Sequence, residues 1–385
     1  MEGGVGISSY SRNSSNQGSA FLLIAPALRA AIAAHDFADH TAAPIRIADL
    51  GCAVGSNTIT AVAFVIKAVR DKFKSSGLRE PELQALFSDL VSNDFNTLFQ
   101  HLEGADFFVA GVPGSFYHRL FPSSSIHFSM CNVALQWLSK ASVLISKVLC
   151  SSSLLLLFQV PAAVADRRSS SWNAGRITAG GSAPEVARAF ASQAHEDLCR
   201  YLACRAEETV PGGLVTFFVS IRSSSDPAEQ TGGEDCSLGW MVTCLEQAWN
   251  DLVLEGLIDE ETRDSFNIPA YHRTLDEIAK AVSESGDVFT ILQLEELKCP
   301  MPTYASVKAK VEAGGGKAPT PQEYAGIETM AMKSTMKKQI EAHLKTPDLV
   351  DALFKRLKER FLPKEPYVPA RHVKMALAIL ERRRK

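Results

Sequence analysis

The sequence predicts an α/β fold with a mostly parallel sheet and a helical cap layer. Short β-branched and apolar runs alternate with longer segments of helical periodicity, and the first such run leads through a glycine turn into a helix. At 385 residues the chain also exceeds the ~250 to 300 over which a single core usually grows, so a core with a second layer is expected.

The first element is an alanine-rich helix over Phe21–Ala34, with Pro26 limiting where its first turn begins. The strand Ile45–Leu50 follows, bounded by Pro44 and Gly51, and Thr58–Phe73 then carries apolar residues at helical spacing. Strand, turn and helix in that order make half of a βαβ unit. Further strands are expected at Leu83–Phe87, Phe107–Val112, Ile126–Val133, Leu214–Ile221 and Val288–Leu294. They alternate with helices such as Val186–Glu208 and Leu238–Glu255. Ser223–Asp235 and Ala313–Gln322 read as linkers or surface excursions. His372–Arg384 is a closing strand or a short helix, and periodicity does not decide between them.

Hydrophobic residues at 46% and charged residues at 22% describe a globular, soluble chain. A formal net charge of -3 gathers no phosphates, and the basic run Arg382–Lys385 lacks interleaved aromatics for base stacking. Nucleic acid is therefore not an expected partner. The eight cysteines form no CxxC pairs, which fits a reducing compartment. The stretch from Met1 to Gln17 is polar and Gly/Ser-rich, unlike a signal peptide. The greasiest run, Leu154–Phe158, falls far short of the ~20 residues that span a bilayer. The expectation is a cytoplasmic protein with no membrane partner.

The turn from Asp49 to Asn57 places an acid at a strand end, then Gly51 and Gly55, then a helix start. Ligands of open α/β sheets bind at that crevice. The glycines let backbone approach a ligand, and Asp49 can accept from a cationic amino group such as that of a methionine moiety. The spacing is GxxxG rather than the GxGxxG of dinucleotide folds, which argues against a nicotinamide oxidoreductase. Asp89, after the next strand, is placed either to accept from ribose hydroxyls or to cap a helix.

These residues resemble the plant SABATH methyltransferases. The resemblance is carried by Asp49-Leu50-Gly51-Cys52, Ser92-Asn93-Asp94-Phe95-Asn96 and Gly111-Val112-Pro113-Gly114-Ser115-Phe116-Tyr117. It continues through Trp137-Leu138-Ser139, Trp172-Asn173, Pro211-Gly212-Gly213 and Asp264-Ser265-Phe266-Asn267-Ile268-Pro269. It implies a Rossmann-like class I methyltransferase core and S-adenosylmethionine as methyl donor. It implies that Tyr10, Ser14, Asp49, Gly51, Cys52, Asn57, Asp89, Leu90, Ser115, Phe116 and Cys131 hold that donor. Gln17, Gln136, Trp137 and Trp240 would hold the acceptor. Asn173, Asp264, the carbonyl of Phe266 and Asn267 would form a structural Mg²⁺ position. Without the resemblance, Asn267-Ile268-Pro269 reads as an ordinary turn. A homodimer is implied as well. The expected division is a donor-binding core over 1–225, a mainly helical cap over 226–345 with a returning strand near 288–295, and a C-terminal core segment over 346–385.

The sequence departs from the family at several points. Val133 stands where members usually carry tyrosine, and Gln136 where many carboxyl methyltransferases have Met or His; glutamine resembles the xanthine-methylating branch. Glu2 stands where carboxylate-binding members can carry a basic residue. Ala141–Gln159 reads as an insertion, since joining Lys140 to Val160 restores a continuous family pattern. The expected reaction is in-line methyl transfer to the carboxylate of a small organic acid. Such an acid is already ionised near pH 7, so no catalytic acid or base is assigned. His127 reads as a structural histidine. The alternatives are methylation of a heterocycle nitrogen or a thiol, or a non-catalytic cofactor-binding paralogue.

Overall fold

The structure, a computed structural model, describes residue 4 and residues 15–36, 44–139, 160–230, 237–301, 303–362 and 371–384. The insertion read at 141–159 lies outside them. In chain order the elements begin with α1 (Ser15–Ala34), β1 (Ile45–Leu50), α2 (Ser56–Ser75), β2 (Leu83–Asp89), α3 (Phe95–Gln100), β3 (Phe108–Pro113) and β4 (Ile126–Asn132). There follow α4 (Ala162–Ala165), α5 (Pro184–Glu208), β5 (Thr209–Ser220), α6 (Ser237–Leu254), α7 (Glu260–Asp264) and α8 (Leu275–Glu284). The last are β6 (Phe289–Met301), α9 (Tyr304–Ala313), α10 (Pro321–Leu344), α11 (Pro347–Arg360) and β7 (Arg371–Arg382).

The strands form one seven-stranded sheet in the order β3-β2-β1-β4-β5-β7-β6. The pairs among β1 to β5 are parallel. Only β7 runs antiparallel, to β5 on one side and β6 on the other. Because side chains alternate across a strand, each central strand feeds two cores. Phe218 faces one with Ile24 and Leu28 of α1 and Val65 and Val69 of α2. Phe217 faces the other with Leu198 and Tyr201 of α5 and Ile278 of α8. A third cluster joins α6, α10 and α11 around Trp249, which stacks on Phe266 at 4.6 Å between ring centroids.

At four points the structure corrects or decides the sequence reading, each for a physical cause. Pro26 lies inside α1 rather than near its start. It withdraws the amide that would bond the carbonyl of Leu22, and Leu22 is 67% exposed, on a face where water can bond that carbonyl instead. β5 begins at Thr209, ahead of Pro211-Gly212-Gly213. Those residues form a bulge: Ile126 pairs with Thr209 but Phe128 already pairs with Leu214, and Gly212 takes a φ of 82°. The C-terminal stretch is a strand, since pairing with both β5 and β6 satisfies its backbone. Finally, α11 belongs to the cap and not to a C-terminal core segment starting at 346. Its Leu353, Phe354 and Leu357 pack with Leu245 and Trp249 of α6, and only β7 returns to the sheet. Among the described residues no helix is long and apolar enough to cross a membrane.

A buried ion pair fastens the loop after β3 to α5. Arg205 and Glu208, each 1% exposed, bond to one another, with Arg205 Nε 2.8 Å from Glu208. Arg205 Nη1 also donates to the carbonyl of Phe116 at 3.0 Å, and Glu208 accepts from the amides of Leu120 and Phe121. Arg205→Met is expected to cost about 3–5 kcal/mol, because it leaves the Glu208 charge buried and unpaired. Denaturant unfolding of the variant checks this, and a loss below about 1 kcal/mol would mean that the loop holds without the pair.

Candidate active site

The crevice at the carboxyl ends of β1, β2 and β4 is built around two buried carboxylates. β1 and β2 pair in register through Asp49↔Phe87 and Leu50↔Ser88, so their ends bring Asp49 and Asp89 close together. Asp49 accepts a hydrogen bond from Thr58 Oγ1 in the first turn of α2. Its carboxyl is pushed up to about 7, chiefly by burial, with Thr58 opposing and Asp89 adding to the rise. Asp89 is also raised by burial. Asp89 is not a helix cap. One of its oxygens accepts from the amide of Ala53 at 2.8 Å and the other from Leu90 at 2.7 Å, so it ties the glycine turn to the end of β2. The cap of α3 is Asp94.

Gly51 turns with a φ of 81°, and a Cβ there would lie 2.7 Å from Ala134 and 3.6 Å from the ring of Phe116. The glycine thus lets three loops meet. Cys52 and Cys131 both feel the two carboxylates, and burial above all pushes their thiols up, so they stay protonated. Asn57 enters the first turn of α2, where a Cβ on Gly18 of α1 would lie 2.5 Å from its Oδ1. Ser115 accepts from the amide of Tyr117 at 3.3 Å, beside Phe116. The structure therefore brings together Asp49, Gly51, Cys52, Asp89, Leu90, Phe116 and Cys131, with Asn57 and Ser115 at the margins. Tyr10, Ser14 and the side chain of Gln17 lie outside the described residues, as does Glu2.

Val133 follows β4 directly, and its φ of 53°, unusual for a β-branched residue, turns the chain sharply. The loop beyond is held on several sides. Val133 N donates to Phe218 O at 2.7 Å, Tyr271 N to Gln136 O at 2.9 Å and Leu138 N to Pro269 O at 2.9 Å. The hydroxyl of Tyr117 donates to Trp137 O at 2.6 Å, and buried Arg273 donates to Leu135 O at 2.7 Å.

Val133, Gln136 and Trp137 form one wall of a cavity of about 220 Å³. The facing walls carry Met241 and Val242 of α6, Met332, Thr335 and Met336 of α10, Met301 of β6 and Met375 of β7. Trp240 does not line this cavity: its ring packs on Phe361, 4.9 Å away, within the cap. One residue along a helix is a turn of about 100°, which is why its neighbours reach the cavity instead. Ser220 and His272 also line it and were not singled out from the sequence. Met332 and Met336, four apart on α10, were the available signal for the methionine wall.

Asn173, Asp264, Phe266 and Asn267 do converge, and each is at least nine-tenths buried. Asn173 Nδ2 donates to Asn267 Oδ1 at 2.6 Å and to Thr178 O at 3.0 Å, while Asp264 accepts from Gly175 N and Arg263. His127 lies elsewhere, at the start of β4, where its Nδ1 accepts from the amide of Arg46 at 3.1 Å.

A sheet of this strand order, with acids closing its first two strands, defines a Rossmann-like class I methyltransferase. The chain belongs to the SAM dependent carboxyl methyltransferase family, whose profile matches residues 1–148 and 142–383. It is an enzyme that uses S-adenosylmethionine to methylate the carboxylate of a small organic acid. The chain is similar to gibberellic acid methyltransferase 2 of Arabidopsis thaliana, with 37% identity over 371 residues, 94% of this chain and 88% of that protein. It is similar to indole-3-acetate O-methyltransferase 1 of the same plant, with 34% identity over 378 residues, 94% of this chain and 89% of that one. Among solved structures, a loganic acid methyltransferase with SAH matches with a TM-score of 0.80 and 29% identity, covering 100% of this chain and 99% of that chain.

An aspartate titrating near 7 when folded but near 3.8 when exposed holds its proton longer in the folded chain. The folded state then binds more protons than the unfolded one between those values, so Asp49 makes the ligand-free protein less stable as pH rises through that window. Asp49→Asn is expected to be more stable than the parent near pH 8, by on the order of 1–4 kcal/mol, and the margin to vanish towards pH 4. Thermal unfolding of both proteins across a buffer series checks it. A margin independent of pH would remove the assignment.

Proposed function

We propose that Asp49, Gly51, Cys52, Asn57, Asp89, Leu90, Ser115, Phe116 and Cys131, with Tyr10 and Ser14, hold S-adenosylmethionine, and that Gln17, Gln136 and Trp137 seat the acceptor acid in the methionine-walled cavity. The observation that carries this reading is the Asp49 carboxylate. It is buried beside a second carboxylate, and a ligand's ammonium group relieves the cost of ionising it. When bound, S-adenosylmethionine supplies a methyl group activated by its sulfonium. The chain's part is to align and to keep water out. Asp89 fixes the turn through Ala53 and keeps lone pairs for the two hydroxyls of a ribose. Phe116 gives a flat apolar face beside Gly51. On the resemblance, Gln17 and Trp137 would offer N–H groups to a carboxylate that needs no base near pH 7. The cavity wall excludes competing solvent.

The relatives' names suggest an acceptor with a largely apolar carbon skeleton, which suits the methionine wall. Purified protein incubated with S-adenosylmethionine and a mixed library of small acids is expected to yield methyl esters, read by mass spectrometry. Products methylated only on nitrogen or sulfur would overturn the reading.

On the family resemblance we also assign a cytoplasmic homodimer and a structural Mg²⁺ held by Asn173, Asp264, Phe266 and Asn267. The donor set suits a hard cation. An amide is nearly symmetric, and turning Asn173 over would bring its oxygen together with those of Thr178 and Asn267 as ligands for a cation. Addition of Mg²⁺ after EDTA treatment is expected to raise the melting temperature by about 2–4 °C, and Asn267→Ala to abolish the shift. An identical shift in the variant would place the ion elsewhere.

A further inference from the structure

The acceptor cavity carries polar groups that a carboxylate does not satisfy. Gln136 is 8% exposed, and its Nε2 donates to the carbonyl of Val133 at 2.9 Å. That bond fixes which way the amide faces: the nitrogen goes to Val133, and Oε1 is the remaining polar atom of a side chain that lines the cavity. Oε1 is buried and has no hydrogen-bond partner among the described residues. An amide oxygen repels a carboxylate, so it does not serve the reacting end of the acid.

The second group is on His272, which meets the same wall, since the neighbouring Tyr271 amide bonds Gln136 O. The ring Nδ1 lies 2.8 Å from Ser220 Oγ, and the backbone of Ser220 also favours a proton on the ring. In one of its two neutral tautomers the ring carries its hydrogen on Nδ1 and donates it to Ser220 Oγ. Burial, with Arg222 and Arg273 nearby, depresses the ring to about 4, so it is neutral at physiological pH. A neutral ring with hydrogen on Nδ1 leaves Nε2 as an acceptor, and Nε2 has no partner among the described residues. In that tautomer both groups accept, and the rest of the lining is largely apolar, with five methionines.

Resting on the proposed carboxyl methylation, we infer that the natural acceptor is a hydroxy acid: an apolar skeleton bearing, besides its carboxylate, a hydroxyl that donates to Gln136 Oε1 or His272 Nε2. His272 and Ser220 are then specificity-determining residues, Ser220 acting by holding the imidazole's orientation. A site built to receive a hydroxyl discriminates against the analogue that lacks it, because its acceptors then stay buried and unpaired.

The test is calorimetric binding to the full chain saturated with S-adenosylhomocysteine, using acids matched in skeleton. Suitable pairs are meta- and para-hydroxybenzoic acid against benzoic acid, and hydroxycyclohexanecarboxylic acids against cyclohexanecarboxylic acid. At least one hydroxy acid is expected to bind on the order of 10- to 100-fold tighter than its parent. Gln136→Leu and His272→Phe are each expected to reduce that ratio about tenfold or more, and Gln136→Glu, which keeps an acceptor, to retain more of it than Gln136→Leu. Unchanged S-adenosylhomocysteine affinity in the variants shows that they are folded. Equal affinity within every pair, or no binding of any hydroxy acid, overturns the inference. A ratio unchanged in both variants overturns the assignment to these residues. Retained discrimination without methyl ester formation would overturn the proposed reaction while leaving the hydroxyl recognition standing.

Discussion

The architecture depends on a carboxylate kept out of water without a compensating cation among the described residues. Asp49 lies at the end of a strand covered on both faces, its charge is disfavoured by burial, and Asp89, which adds to that cost, is of the same sign. A fold tolerates such a group only if the surroundings are fixed well enough to prevent its escape to solvent. Here the fixing is done by parallel register, by the Thr58 hydroxyl and by the amides of Ala53 and Leu90 on Asp89. The crevice is thus strained electrostatically toward a positively charged ligand, and the neighbouring cysteines are held as neutral, apolar filler.

Around that crevice, three guanidinium groups do for loops what hydrogen-bond ladders do for strands. Arg205, Arg222 and Arg273 are 1%, 2% and 2% exposed, and each bonds backbone carbonyls of a segment distant in sequence. Arg205 holds the loop of Phe116, Arg273 the loop of Gln136 and Arg222 the carbonyl of His272. A planar fork with several donors suits this task better than an ammonium. The loops around the crevice are therefore tied to the framework by buried side chains as well as by backbone.

The sheet was legible in the sequence because its strands are short apolar runs bounded by turn residues, as Ile45–Leu50 is by Pro44 and Gly51. The acids were legible because the crevice falls at strand ends, whose positions the pattern gives. The Pro211–Gly213 bulge was not, since turn residues inside a strand look like its boundary. Nor was α11 as part of the cap: which layer a helix joins depends on partners far away in the chain. His272 escaped notice because its neutrality and its facing of Ser220 come from burial and from Arg222 and Arg273, which only the folded chain assembles. Trp240 shows the converse. Its position in the family pattern pointed to the cavity, but the helix rotation gives that role to Met241 and Val242.

The methionine wall has a bearing on how such an enzyme changes its diet. Unbranched thioether chains reshape themselves around guests of different outline at little energetic penalty. Five of them facing one rigid polar wall let the contour of a guest vary widely while its polar signature is still inspected. New acceptors are then reached by altering one or two polar side chains, without redesign of the fold, so diversification within such a lineage runs through the fixed wall and not through the soft one.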